Sequence, residues 1–192
     1  MATHQPKTFK ISSSLGCAAS GIYSDARRML NMLRAEATDY EYEHNEPVPM
    51  KRLVISLSDE AQQRTQYGGY RPFGATLLLI GQESGKPALY ATDPSAEYFK
   101  FRAHAVGKNA QAVNAYLQLK NAEFAGKSAA ELAKLSLLAL RQAGVLEFEA
   151  RAVEVAVFEG GLYRNLSEAE IQQVVQEFLV QNPIVHDESE DS

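Results

Sequence analysis

At 192 residues, 45% of them apolar and 22% charged, the chain is long enough for one globular domain with a substantial core. It carries no apolar run of bilayer length and no leader pattern at its start, so no membrane span and no secretory leader are expected. The net charge is −5, but four acids lie within residues 187–192, and without them the balance is −1; a near-neutral body with no basic stripe argues against nucleic-acid binding.

Residues 1–8 are polar and unpatterned and read as a disordered tail. Phe9–Ile11 reads as a short strand, Ser12–Ser14 as a turn, and Leu15–Ser20 as a buried strand ending at Gly21. Ser24 is placed to cap a helix, with Asp25 favourable against its positive end. Ala26, Leu30, Leu33, Ala37 and Tyr40 then form one helical stripe. Pro47 and Pro49 break it. Met50, Leu53, Val54, Leu57 and Ala61 form a second stripe, so two antiparallel helices in one layer are expected. Ala75–Ile80 is too short for a membrane and too apolar for a surface strand, and predicts a strand buried on both faces.

Glu83–Lys86 is a turn, Ala88–Thr92 a strand, and Asp93-Pro94-Ser95-Ala96 a turn with proline at its second position. Alternation from Glu97 puts Phe99, Phe101, Ala103 and Ala105 on the buried face of a further strand, closing an antiparallel meander. Gly107-Lys108-Asn109 opens a helix carrying Val113, Tyr116 and Leu117. Ser128 and Glu131 form a capping box ahead of an apolar, well-buried helix. Ala152–Phe158 reads as a strand and turns through Gly160-Gly161 into Leu162–Arg164. A second capping box, Ser167 and Glu170, starts a helix with Ile171, Val174, Val175, Phe178 and Leu179 inward. Paired helices between runs of antiparallel strands fit helices layered outside two stacked sheets, in an α+β fold.

Three motifs stand out in order: Arg71-Pro72-Phe73-Gly74 entering a buried strand, then Asp93-Pro94-Ser95, then Gly107-Lys108-Asn109. With Ser20-Gly21, Ser24-Asp25-Ala26-Arg27 and Glu46-Pro47-Val48-Pro49, they make the chain resemble a proteasome alpha subunit from about Phe9 onward. The Ser24-Asp25-Ala26 and Tyr67-Gly68-Gly69 pieces lean toward the type-4 paralogue. The resemblance implies a four-layer αββα sandwich of the N-terminal-nucleophile hydrolase type, here missing its first strands and N-terminal helix. It divides the chain into a tail, 1–8, an alpha-type domain, 9–182, and an acidic C-terminal tail, 183–192. It implies a non-catalytic structural subunit of the 20S core particle, in cytoplasm and nucleus, serving assembly and ubiquitin-dependent protein degradation. Its partners would be neighbouring alpha subunits, the beta ring and regulatory particles, with no cofactor or metal, no nucleic acid and no membrane. Arg71, Pro72, Phe73, Gly74, Asp93, Pro94, Ser95, Gly107, Lys108 and Asn109 would be structural motif residues.

Two departures accompany the resemblance. Family members begin with a gating tail, a helix and two strands where this chain has only Met1–Thr8, so those parts, and a ring-surface lysine that helps bind activator tails, are expected to be lacking. The family's Asp-Pro-Ser-Gly turn here ends in Ala96, which would cost about 1 kcal/mol if the site requires positive φ.

The alternative is a stand-alone hydrolase of the same fold, or a truncated non-functional relative. A hydrolase needs a nucleophile with a base in reach. Thr3 lies on a polar tail without companions. Cys17 lies in a small apolar strand, where a thiol behaves as an inert buried group; as the single cysteine it excludes an internal disulfide framework. His4, His44, His104 and His186 have no ligand spacing. Gly68-Gly69 and Gly160-Gly161 lack the strand-loop-helix setting of a phosphate loop. Arg71 is expected to hold a carboxylate in a structural salt bridge.

Overall fold

The computed structural model describes residues 5–145 and 148–183. Along them run β1 (Thr8–Lys10), β2 (Gly16–Gly21), α1 (Tyr23–His44), α2 (Met50–Gln66), β3 (Ala75–Glu83), β4 (Lys86–Thr92), β5 (Tyr98–Phe101), α3 (Ala110–Leu119), α4 (Ala129–Gln142), β6 (Ala156–Glu159), β7 (Leu162–Asn165) and α5 (Glu168–Gln181). Strands β1 to β5 form an antiparallel sheet in chain order, and β6 and β7 form a two-stranded second sheet.

The apolar stripes explain the layering. Leu30 and Leu33 of α1 and Leu53 and Leu57 of α2 share one core with Leu77 and Leu79 of β3. The two helices therefore cover one face of the large sheet. They run antiparallel, and the Glu36 carboxylate of α1 accepts hydrogen bonds from Arg52 and Ser56 of α2. On the other face, Tyr163 of β7 lies over Gly16, where a Cβ would stand 2.1 Å from its ring, and Tyr163 N donates to Ser13 O at 2.9 Å. A second core, with Leu137, Phe148, Val174 and Phe178, joins α4 and α5 behind the small sheet. The order is helices, sheet, sheet, helices, the αββα arrangement implied by the sequence, with inner sheets of unequal width.

Several local expectations are corrected. Strand β1 begins at Thr8, one residue early, because Glu154 accepts hydrogen bonds from Lys7 N, Thr8 N and Thr8 Oγ1. Helix α1 has Ile22 at its N-cap and no side-chain cap bond, so Ser24 does not cap it. Strand β3 extends to Glu83, and its burial alternates: Ala75, Leu77 and Leu79 are sealed under the helices, whereas Thr76, Leu78 and Ile80 are half-buried. It is therefore fully covered on one face only.

Strand β5 stops at Phe101. The alternation through Ala103 and Ala105 does not continue it, because Asn114 of α3 bonds both backbone groups of Ala105, at 2.8 and 2.9 Å, and draws the chain off the sheet. The inward face is also reversed. Tyr98 packs toward the first core, while Phe99, expected inside, is 54% exposed. The register places Phe99 with Ala91 on the face away from α1 and α2, where Tyr163 of β7 lies over Gly16 of β2.

Both capping boxes form. Helix α4 is less buried than its composition suggests, with Ala133, Leu137 and Ala139 inside and Leu132 and Leu140 facing out. In α3 only Val113 is buried, with Tyr116 and Leu117 half-buried. The stretch expected as a strand from Ala152 starts pairing at Ala156, because Ala150–Ala152 winds into a 3-10 turn. Thr3, His4, His186 and the acidic tail from residue 187 lie outside the described residues.

Candidate functional site

The three sequence motifs meet at one end of the large sheet. Gly21, the last residue of β2, pairs with Ala75, the first of β3, and Leu77 pairs with Thr92, the last of β4. Arg71–Gly74 leads into that end, Asp93–Ala96 leads out of it, and Gly107 abuts Ser20 of β2.

The first motif is a junction between α1 and β3. Asp25, in the first turn of α1, is 7% exposed. Its carboxylate accepts from Arg71 Nη1 at 2.5 Å, Arg71 Nη2 at 2.8 Å and Gly74 N at 2.8 Å. Arg71 Nη1 also donates to Pro72 O. The Arg71 guanidinium and then the Gly74 N–H lower the Asp25 pKa from 3.8 to about 2, against the opposing effect of burial. The same carboxylate raises the Arg71 pKa above its ordinary value. Phe73 is buried, with the Arg64 guanidinium 4.4 Å from its ring centre.

Space is tight at both glycines of this junction. Ile22 N donates to Gly74 O at 2.8 Å. A Cβ on Gly21, which has φ +114, would stand 2.3 Å from that same oxygen, and a Cβ on Gly74 would stand 2.5 Å from Ile22 Cδ1.

In the second motif, Asp93 Oδ1 accepts from Ser95 N at 2.8 Å and Ser95 Oγ at 2.5 Å, while Asp93 O accepts from Ala96 N. Ala96 has φ +76, so the alanine does occupy a left-handed position. Ser58 of α2 donates to Ala96 O and seats the turn on the helix layer. In the third motif Gly107 has φ +102 and Asn109 has φ +59, and Asn109 is the N-cap of α3. The Asn109 amide donates to Ala143 O beyond the end of α4, and Lys108 is exposed.

The residues weighed for chemistry do not converge. Cys17 is buried in the first core, and burial pushes its thiol up to about 12. His44 stacks on Tyr40 at the end of α1, with ring centres 4.0 Å apart. His104 stacks on Phe101, and burial lowers its pKa. Among the described residues no hydrogen bond joins either imidazole to Cys17, and no group of three or more His, Cys, Asp or Glu could hold a metal. A hollow of about 390 Å³ between α1 and α2 is lined by Met32, Ile55 and Asp59 together with Glu36, Arg52 and Ser56, whose polar atoms bond one another. No described helix is long and apolar enough to cross a membrane.

Three residues matter here that the sequence did not single out for these roles: Asp25 as the partner of Arg71, Glu154 as the holder of β1, and Asn114 as the clamp on Ala105. Asp25 alone carried a local signal, an acid in a first turn followed by a buried stripe.

Comparison with known proteins agrees with this geometry. The family described as Proteasome subunit matches residues 1–158. The proteasome subunit alpha of Pyrococcus horikoshii is 36% identical over 189 residues, covering 96% of this chain and 71% of the relative. That of Methanosarcina acetivorans is 34% identical over 175 residues, 90% of this chain and 70% of the relative. Proteasome subunit alpha type-1 of Trypanosoma brucei rhodesiense is 32% identical over 200 residues, 100% of this chain and 74% of the relative. With matching sequence along nearly its whole length and helices layered outside two sheets, the chain belongs to the proteasome subunit family.

Proposed function

We propose that the chain is a non-catalytic subunit of the alpha ring in a 20S-type proteasome core particle, serving ring assembly and protein degradation. The observation that carries this reading is the likeness to proteins named proteasome subunit alpha across 90 to 100% of the chain. The site geometry supports it: Asp25, Arg71, Asp93 and Asn109 spend their polar atoms on holding the chain's own elements together. The alpha-type domain then spans 9–182, between a short leading segment and an acidic trailing one. Its partners are neighbouring alpha subunits and the beta ring, with regulatory particles docking on the assembled ring. Its place is the cytoplasm and nucleus, and its substrates arrive by the ubiquitin-dependent route.

Affinity capture of the tagged chain from its own cells, followed by native electrophoresis and mass spectrometry, tests the reading. Recovery of other alpha and beta subunits in a band of core-particle size is expected. A chain found only free, with no proteasome subunit recovered, would overturn it. A threonine-protease probe should label beta subunits in that band and leave this chain unlabelled.

A further inference from the structure

The two edges of the five-stranded sheet are treated differently. At β1 the register alternates from the bond between Ala19 N and Lys7 O, so the backbone of Thr8 and Lys10 points away from β2. One backbone group at each outward position is taken by a charged side chain. Glu154 accepts from Thr8 N at 2.8 Å, and the Arg34 guanidinium donates to Lys10 O at 2.9 and 2.7 Å. A charged side chain on each position closes that edge to strand addition.

At β5 the alternation starts from Asp93 N donating to Glu97 O. Tyr98 then pairs with Thr92 and Lys100 with Tyr90 at positions whose backbone groups point outward. Among the described residues these outward groups have no hydrogen-bond partner. The edge is open to solvent, with Phe99 and Lys100 both exposed.

We propose that β5 is a self-complementary edge on which a second copy of this chain pairs antiparallel, centred on Phe99. In that register Tyr98 of one copy and Lys100 of the other exchange backbone hydrogen bonds. Phe99 meets Phe99 of the second copy in a non-hydrogen-bonded pair, where side chains lie closest and aromatic pairs are favourable. Lys100 faces Tyr98, Glu97 faces Phe101, and no like charges stand directly opposite. The alternatives are worse. Centring on Lys100 would oppose two lysines. Centring on Tyr98 would oppose Lys100 to Ala96, which is in the left-handed turn and outside the strand. Because β1 is closed, the pairing ends at two copies and does not grow into a fibre. A four-residue edge makes a small, weak contact.

Sedimentation equilibrium of the full chain over two decades of concentration, together with three variants, tests this. A monomer–dimer equilibrium is expected. Phe99→Lys should weaken it at least tenfold, and mixing Phe99→Lys with Phe99→Glu should restore a dimer of one copy of each. Phe99→Cys should cross-link under mild oxidation, since the Cα separation of such a pair falls in the range a disulfide spans. The buried Cys17 leaves the introduced thiol as the reactive one. Phe99 is exposed, so these variants should keep the fold, and circular dichroism checks that they do. The proposal is overturned if the chain stays monomeric throughout, if the dimer survives Phe99→Lys, or if Phe99→Cys cross-links no faster than a thiol placed at exposed Leu119 of α3. Any of these leaves the ring-subunit reading standing, because recovery of core particles reads that separately.

Discussion

Arg71 grips Asp25 with both prongs of its guanidinium, 2.5 and 2.8 Å from the two carboxylate oxygens, across 46 residues of sequence. A third donor, Gly74 N, completes the shell. Asp25 is thereby buried as an anion at the start of α1, and the entry to β3 is fixed against it. A buried carboxylate with three donors is a strong local constraint, and it costs most when one partner is removed.

Asp25→Asn should lower stability at neutral pH by about 1–3 kcal/mol, because the amide replaces one acceptor oxygen by a donor facing Arg71. The wild-type advantage depends on pH. The folded pKa lies near 2 against an ordinary 3.8, so the contribution is complete above about pH 4 and is lost as pH falls toward 2. Urea unfolding at pH 7, 4 and 2.5 should show the two proteins converging at the lowest pH. A constant gap would refute the linkage.

Ala96 sits at φ +76, where an L side chain is strained. Ala96→Gly should raise stability by about 0.5–1 kcal/mol, relief of strain outweighing the lost methyl contact and the looser unfolded chain. Ala96→Val should cost about 2 kcal/mol or more, since β-branching makes the left-handed region still less accessible. Thermal unfolding of the pair separates strain from packing. If glycine destabilises, packing of the methyl dominates.

The two glycines of the junction should differ in tolerance. At Gly21 a new Cβ would meet the Gly74 backbone oxygen at 2.3 Å, at positive φ. Gly21→Ala should therefore cost about 3 kcal/mol or more, with no side-chain rescue. At Gly74 the obstacle is the flexible end of Ile22, itself 50% exposed. Gly74→Ala should cost less, and Ile22→Ala should recover most of the loss. A double-mutant cycle measures that coupling.

Glu154→Ala should release β1. Hydrogen exchange at the Thr8 amide is expected to accelerate at least about tenfold while the centre of β3 is unchanged. Uniform acceleration across both strands would mean that Glu154 supports the whole fold rather than this edge.

The sequence was most legible where periodicity and local chemistry agree. The stripes Leu30–Leu33 and Leu53–Leu57, with prolines between them, mark two helices on one sheet face, and Ser128 and Ser167 mark two helix starts by capping boxes that form as written. It was misleading where local alternation imitates a strand. Ala103 and Ala105 continue the pattern of β5, yet Asn114 takes the backbone of Ala105. Residues 152–155 alternate as well, but Glu154 is turned toward β1. In each case the deciding group comes from another part of the chain. The same holds at the junction. Arg71 announced a carboxylate, but nothing local in the sequence identified Asp25 as its partner. The inward face of β5 was misjudged because aromatic residues usually face a core, and here Tyr98 takes that place while Phe99 is exposed.

The three donors that Glu154 accepts come from Lys7 and Thr8, which precede it by 147 and 146 residues. A ribosome must add 146 residues after Thr8 before β1 can find its anchor. Until then, Thr8 and its neighbours present an unfinished border to the crowded space at the tunnel mouth, and this edge settles late.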